Sequence, residues 1–374
     1  LSLLLFIGAG LFGRSLQKLA NVDAGFRMDH VLTFRIDSTL RGYRDARFFD
    51  TLRQARDAVA AVPGVRSAAL SDATLLGGGH AGAYIRVEDS AHDDERELLV
   101  NWVSPEFFET LGMTLVAGRG FTAADEGAAP RAAVINETMA RLFFPGGNAI
   151  GRRFIWNNDQ PPIEVVGVAH DAKYDDLRSP VEPTFFVPLF AGTWQRAKTV
   201  EVRAAGDPAA LTSAIRKRVA EVDPDLMLFN VRTLEDQARE SMAEERLTAG
   251  LSGFFGVLAL ALACVGLYGV MAFHATRRTG EIGLRMALGA RRGDVVRLML
   301  RESAVLVLIG AAIAVPAALA AGRLLGSLLF GISPSDPWTI AAAVAVMFAA
   351  AMLATYAPAR RAARVDPSVA LRVQ

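Results

Sequence analysis

Cysteine occurs once in this sequence, at Cys264, and histidine five times, at His30, His80, His92, His170 and His274. A single cysteine excludes an internal disulfide and any zinc site built from several thiolates, and its apolar surroundings suit a small buried hydrophobe. The histidines are scattered and form no HExxH pairing, which leaves a metal hydrolase without support. No GxSxG nucleophile elbow is present either. Lysine is equally scarce: Lys18, Lys173, Lys198 and Lys217 are the only ones, and none follows a glycine loop able to cradle a phosphate. Nor is there an excess of one charge. Lys+Arg 40 against Asp+Glu 39 leaves a formal +1, so no overall basic field argues for a nucleic-acid partner.

What the chain has in abundance is apolar sequence. Hydrophobic residues make up 52% and charged ones 21%, too many charges for a chain wholly in lipid, so the two must be segregated. Residues 250–273 carry no charge and are long enough to cross a hydrocarbon core of about 30 Å. Residues 303–330 and 338–358 give two further spans, the last opened by an interfacial Trp338. Residues 1–16 read as the remainder of a first span, because the sequence starts at Leu1 within an apolar run.

Short loops set the orientation. Residues 274–302 hold seven arginines against Glu281, Asp294 and Glu302, and the tail 359–374 holds Arg360, Arg361, Arg364 and Arg372 against Asp366 alone. Both are expected in the cytoplasm by the positive-inside rule, and the loop 331–337, free of Lys and Arg, outside. Alternation then puts residues 17–233 outside as well. This segment shows short strand patterns at 31–36, 68–70, 83–87, 98–103, 132–135, 163–168, 184–188 and 199–202, with helical periodicity at 44–62 and 208–222. It is expected to form one α+β domain or two small ones. Residues 234–249 continue without Gly or Pro into the second span and suggest a helical stalk; a short surface helix followed by a hinge is the alternative.

Three stretches invite chemistry. Residues 8–15, GAGLFGRS, fit a dinucleotide fingerprint and resemble a phosphate loop whose lysine has become arginine. Such a loop needs a strand before it and a nucleotide domain around it, whereas this one leads out of a span, so a membrane helix is the preferred reading. His170, Asp171, Asp175 and Asp176 form the densest polar cluster, and their place after a strand suits a solvated loop better than an acid/base site.

The third stretch is the arginine-rich loop. Glu281 and Arg285 form an i, i+4 pair, Leu284, Met286 and Leu288 supply apolar surface, and Gly289 suits a helix stop. The expectation is a short amphipathic helix between two spans, either lying on lipid headgroups or docking a cytoplasmic protein. In the third span Gly310, Ala314, Ala318, Gly322 and Gly326 recur every four residues, a ridge along which another helix can pack closely.

The order of parts, and wording such as VSPEFFETLGMTLVAGRGFTAAD at 103–125, AVINETMARLFFPGGNAIGRRF at 133–154 and above all GLYGVMAFHATRRTGEIGLRMALGA at 266–290, resembles the MacB/FtsX-like permeases of ABC transporters. The resemblance implies an α+β membrane protein with four transmembrane helices, the first truncated, and a large extracytoplasmic α+β domain inserted between helices 1 and 2. It implies a multi-pass protein of the inner membrane with that domain in the periplasm, not an enzyme, binding no cofactor or metal itself. ATP would be bound by a partner ATPase docked on Arg278, Glu281, Ile282, Arg285, Met286, Leu288 and Gly289. Further implied partners are a second permease copy or duplicated half, membrane lipid and a periplasmic adaptor. MacB itself carries its ATPase at the N-terminus of the same chain, and nothing of one is present here. The alternative is a signalling scaffold that regulates an external partner such as a cell-wall hydrolase.

Overall fold

A computed structural model describes residues 2–37, 45–77, 81–87, 98–126, 131–156, 161–191, 198–288, 290–324, 330–333 and 335–364. The chain divides into two compact units, one of residues 22–242 and one of residues 1–21 with 243–374.

Helix α1 (Ser2–Ala20) belongs to the second of these, and the chain then enters the unit of residues 22–242. There β1 (Val31–Ile36), α2 (Asp45–Ala60), β2 (Val65–Ser71), β3 (Ala81–Ala83), β4 (Ile85–Val87) and β5 (Leu98–Val103) come first. They are followed by α3 (Phe107–Leu111), β6 (Leu115–Gly118), β7 (Ala132–Asn136), α4 (Glu137–Phe143), β8 (Arg153–Trp156), β9 (Ile163–Ala169) and β10 (Thr184–Pro188). Last are β11 (Lys198–Ala204), α5 (Thr212–Val222), β12 (Leu228–Thr233) and α6 (Leu234–Ser241). The twelve strands among the described residues join one mixed sheet in the order β12-β1-β11-β2-β5-β10-β7-β9-β8-β4, with β3 on β5 and β6 on β9. Of the two expected arrangements, a single domain is the one found.

Strand alternation explains how this sheet is covered. Phe185 and Phe186 are adjacent on β10 and so point to opposite faces, yet both are fully buried. Phe185 meets Phe154 and Trp156 on one side, and Phe186 meets Phe107 and Phe108 on the other. Helix α2 buries Phe48, Leu52, Ala55 and Val59, the i, i+4, i+7, i+11 stripe of an amphipathic helix. A polar cluster lies inside this unit. Lys198 pairs with Asp72 out of solvent, and Glu201, which accepts a hydrogen bond from Ser71 at 2.5 Å, is fully buried. Removal from water pushes the Glu201 carboxyl up to about 8 against the Ser71 hydrogen bond that lowers it.

The uninterrupted helix expected over 234–249 is two helices. α6 ends at Ser241, Met242 is a turn residue, and α7 (Ala243–Arg277) starts anew. Tertiary contacts anchor α6. Gln237 donates from Nε2 to the Leu75 carbonyl at 2.6 Å, and Leu234 and Ala238 are buried, so sheet packing rather than local propensity sets where α6 lies.

The other unit contains α1, α7, α8 (Thr279–Ala287), α9 (Arg292–Leu324) and α10 (Pro337–Ala362). α1, α7, α9 and α10 are long and apolar enough to cross a membrane. Two clusters fix the ends of this bundle. At one end Met271, Ile282, Val295, Met299 and Ala359 join α7, α8, α9 and α10. At the other, Ser15 accepts the Phe330 N–H at 2.7 Å, Lys18 donates to the Gly331 carbonyl and Arg14 pairs with Asp336, tying α1 to the α9–α10 connection.

Candidate docking site

The short helix α8 is held by one face and presents the other. Ile282 is 9% exposed and packs with Met271, Val295, Met299 and Ala359, and half-buried Met286 leans on the same cluster. Along a separate i, i+3, i+4, i+7 face stand Glu281, Leu284, Arg285 and Leu288. Leu284 is 52% exposed and Leu288 80%, the two apolar side chains lying a turn apart in solvent. Glu281 and Arg285 bridge beside them at 2.7 Å. Such a face, apolar at its centre and charged at its rim, is the pattern by which an amphipathic helix enters a groove on another protein.

The N-terminal end of α8 is held electrostatically. Arg278, in the turn before α8, donates to Glu302 of α9 at 2.6 Å, and this hydrogen bond holds the guanidinium more firmly in its charged form. Asp294 accepts the Arg291 backbone N–H at 3.0 Å where α9 begins. Between α7, α8 and α9 lies a cleft of about 160 Å³ lined by His274, Arg278, Ile282, Arg285, Val295 and Met299.

The residues singled out in the sequence therefore divide. Glu281, Arg285 and Leu288 are exposed on α8, Ile282 and Met286 anchor it, Arg278 ties it to α9, and Gly289 lies outside the described residues. Leu284 is the outward residue that motif matching underweighted; its i, i+4 relation to Leu288 was the available signal. Of the four-residue ridge on α9, Ala314 and Ala318 pack with Leu3, Ile7 and Leu11 of α1 and Ala343 of α10. Gly322 is buried, Gly310 is exposed at its place on the helix, and Gly326 lies outside the described residues.

The other two stretches take part in helix packing and in local hydrogen bonding. Residues 8–15 are helical throughout, and residues 2–7 belong to the same helix rather than to a strand. Gly10 is where a helix comes close: a Cβ there would stand 2.8 Å from Thr339 Cγ2 of α10, whereas Gly8 and Gly13 face open space. His170 approaches Glu137 at 2.7 Å, while Asp171 accepts hydrogen bonds from the Thr138 N–H and hydroxyl and from Arg141. Burial opposes ionisation of Asp171, but these donors prevail and its carboxyl titrates below the usual range. Asp176 behaves alike, burial being outweighed by the hydroxyl and N–H of Ser179 and the N–H of Arg178. Among the described residues no three His, Cys, Asp or Glu side chains are grouped to hold a metal ion.

Comparison with known proteins matches residues 1–221 to the family model described as MacB-like periplasmic core domain and residues 253–367 to that described as FtsX-like permease C-terminal. The chain is 31% identical over 296 residues to the "Macrolide export ATP-binding/permease protein MacB" of Bradyrhizobium diazoefficiens, covering 75% of this chain and 44% of the relative. It is 29% identical over 279 residues to the "Pyoverdine export ATP-binding/permease protein PvdT" of Pseudomonas aeruginosa, covering 72% of this chain and 41% of that one. The chain thus spans less than half the length of these curated relatives. Among solved structures, the periplasmic region of MacB from Actinobacillus actinomycetemcomitans is similar over 60% of this chain and 97% of that chain, at 13% identity and a TM-score of 0.41.

Proposed function

The chain belongs to the MacB/FtsX-like family of ABC transporter permeases, and from that premise we propose that it is the membrane subunit of an exporter whose ATPase docks on α8. α1, α7, α9 and α10 cross the inner membrane, the arginine-rich ends of α7, α9 and α10 lie with α8 in the cytoplasm, and the sheet unit lies in the periplasm. The chain hydrolyses no ATP itself. A partner ATPase, fused or separate, binds the nucleotide, and its movement is carried through α8 and α7 to the sheet unit. A second permease copy and a periplasmic adaptor complete the assembly, and a small compound or lipoprotein is the cargo.

The observation that carries this reading is the division of α8 into an anchored face and a free one. Ile282 and Met286 fix the helix to the ends of α7, α9 and α10, so a push on Leu284 and Leu288 is delivered to three helices rather than dissipated in a loop. Relatives whose names join "ATP-binding" to "permease" and to "export" support both the ATPase partner and the outward direction. Purification of the full-length protein in mild detergent, beside the variant Glu281→Arg/Arg285→Glu, tests it. An ATP-hydrolysing domain that stays with the parent but no longer responds to it in the variant supports docking at α8. Unaltered ATPase coupling in the variant refutes it.

A further inference from the structure

The bundle end that carries α8 also carries arginines that do not belong to its docking face. On α9, Arg297 and Arg301 are exposed and stand one turn apart, and continuing that spacing leads to Val305 and Leu308, both about half exposed. On α10 the exposed Leu353 and Tyr356 lead by the same spacing to Arg360, and the exposed Arg364 lies in the turn just after the helix. On α7 Val270 and Phe273 lead to Arg277, whose guanidinium lies over the Phe273 ring at 5.0 Å. Each outward apolar stripe thus ends, on the same side of the bundle, in arginine.

These stripes point away from the bundle interior. The residues of α9 and α10 that line the groove they form with α1 and α7, among them Val307, Ala314, Val344 and Met347, occupy other faces of these helices. Charge pairing separates the two kinds of arginine as well. Arg278 and Arg285 are matched by Glu302 and Glu281, whereas among the described residues no carboxylate pairs with Arg277, Arg297, Arg301, Arg360, Arg361 or Arg364. Arg361 is instead oriented by a hydrogen bond from Nη1 to the Tyr268 hydroxyl of α7 at 2.8 Å, which leaves its other N–H groups available.

We propose that this arginine rim is a binding site for the phosphodiester headgroups of anionic phospholipid, seated where the apolar stripes of α7, α9 and α10 meet the cytoplasmic surface. The acyl chains lie along Val305, Leu308, Leu353 and Phe273, and the phosphate meets the guanidinium at the end of each stripe. Arginine suits this use because its planar fork binds phosphate oxygens in pairs, and every cation of the rim is arginine in a chain with only four lysines. The rim holds the headgroups while leaving Glu281, Leu284, Arg285 and Leu288 free for a protein partner. This rests on the reading of these helices as membrane spans.

The test is native mass spectrometry of the full-length protein exchanged into equal amounts of phosphatidylglycerol and phosphatidylcholine, after alkaline extraction has shown that it stays in the membrane. Retained phosphatidylglycerol should exceed phosphatidylcholine by roughly thirtyfold or more, as expected for two or three basic contacts at a membrane surface. The variants Arg297→Gln/Arg301→Gln and Arg360→Gln/Arg361→Gln/Arg364→Gln should each reduce that preference, while the corresponding lysine variants, serving as folded controls, keep it within about threefold. Equal retention of the two lipids, an unchanged preference in the glutamine variants, or its loss in the lysine variants would overturn the proposal. So would retention of inorganic phosphate in place of lipid, which would assign the rim to a free anion. Release from the membrane by alkali would instead overturn the reading of the spans.

Discussion

Ile282 and Leu284 stand two residues apart on α8 and face opposite ways, the first 9% exposed among the ends of α7, α9 and α10 and the second 52% exposed. Truncating them should therefore have different consequences. Ile282→Ala removes side-chain volume from a packed cluster and should cost about 2 kcal/mol. Leu284→Ala should change stability by no more than about 0.5 kcal/mol and weaken ATPase association instead. Thermal denaturation in detergent, read beside ATPase retention, separates the two effects.

Gly10 tests what the glycines of residues 8–15 are for. Gly10→Val should lower the melting temperature, because a Cβ at that position meets Thr339 Cγ2 at 2.8 Å. Gly8→Ala and Gly13→Ala should be neutral or slightly stabilising, since nothing lies within 4 Å of the added atom and alanine favours a helix. A phosphate loop would behave otherwise, with all three substitutions abolishing nucleotide binding.

Glu201 sets a pH dependence for the sheet unit. Its folded carboxyl titrates at about 8 against an ordinary value of 4.5, so across that interval the folded state retains a proton that the unfolded state has lost. Stability therefore falls as pH rises from about 4.5 to about 8, and its contribution is fully present only below that window. Glu201→Gln keeps the shape and acceptance of the Ser71 hydroxyl without the charge. It should flatten the profile and be more stable than the parent at pH 8, as measured by urea denaturation at several pH values.

Single cysteines should report the sides of the membrane. With Cys264 replaced by serine, a cysteine at Ser335, in the connection before α10, is expected to react with an impermeant thiol reagent in cells with a permeable outer envelope. One at Arg291, between α8 and α9, should react only after the inner membrane is opened. The reverse pattern would invert the proposed topology.

The sequence was most legible where structure is set by local composition. Uncharged runs of about twenty residues announce membrane-length helices, because a helix in lipid satisfies its own backbone hydrogen bonds. Strands of the sheet unit were less so. β6, β8 and β12 escaped notice: β6 and β8 have four residues each, too few for alternation to show, and β12 is an edge strand exposed over Phe229 and Asn230. Residues 83–87 read as one strand, yet Tyr84 separates β3, paired with β5, from β4, paired with β8. Those partners lie far along the chain and leave no local trace. At α8 the i, i+4 pair of Glu281 and Arg285 was visible, but which apolar residues face inward depends on Val295, Met299 and Ala359 arriving from two other helices. The burial of Lys198 and Glu201 was likewise unreadable, since polar residues in a strand ordinarily mark its solvent face.

The most direct test of the central claim is photo-crosslinking in cells from a benzophenone amino acid placed at Leu284, with the same probe at Ile282 as the internal control. The account predicts a crosslink from Leu284 to an ATP-binding domain and none from Ile282, which is enclosed by its own chain. Crosslinks from Leu284 to lipid alone, or ATPase crosslinks arising equally from both positions, would contradict docking on the free face of α8.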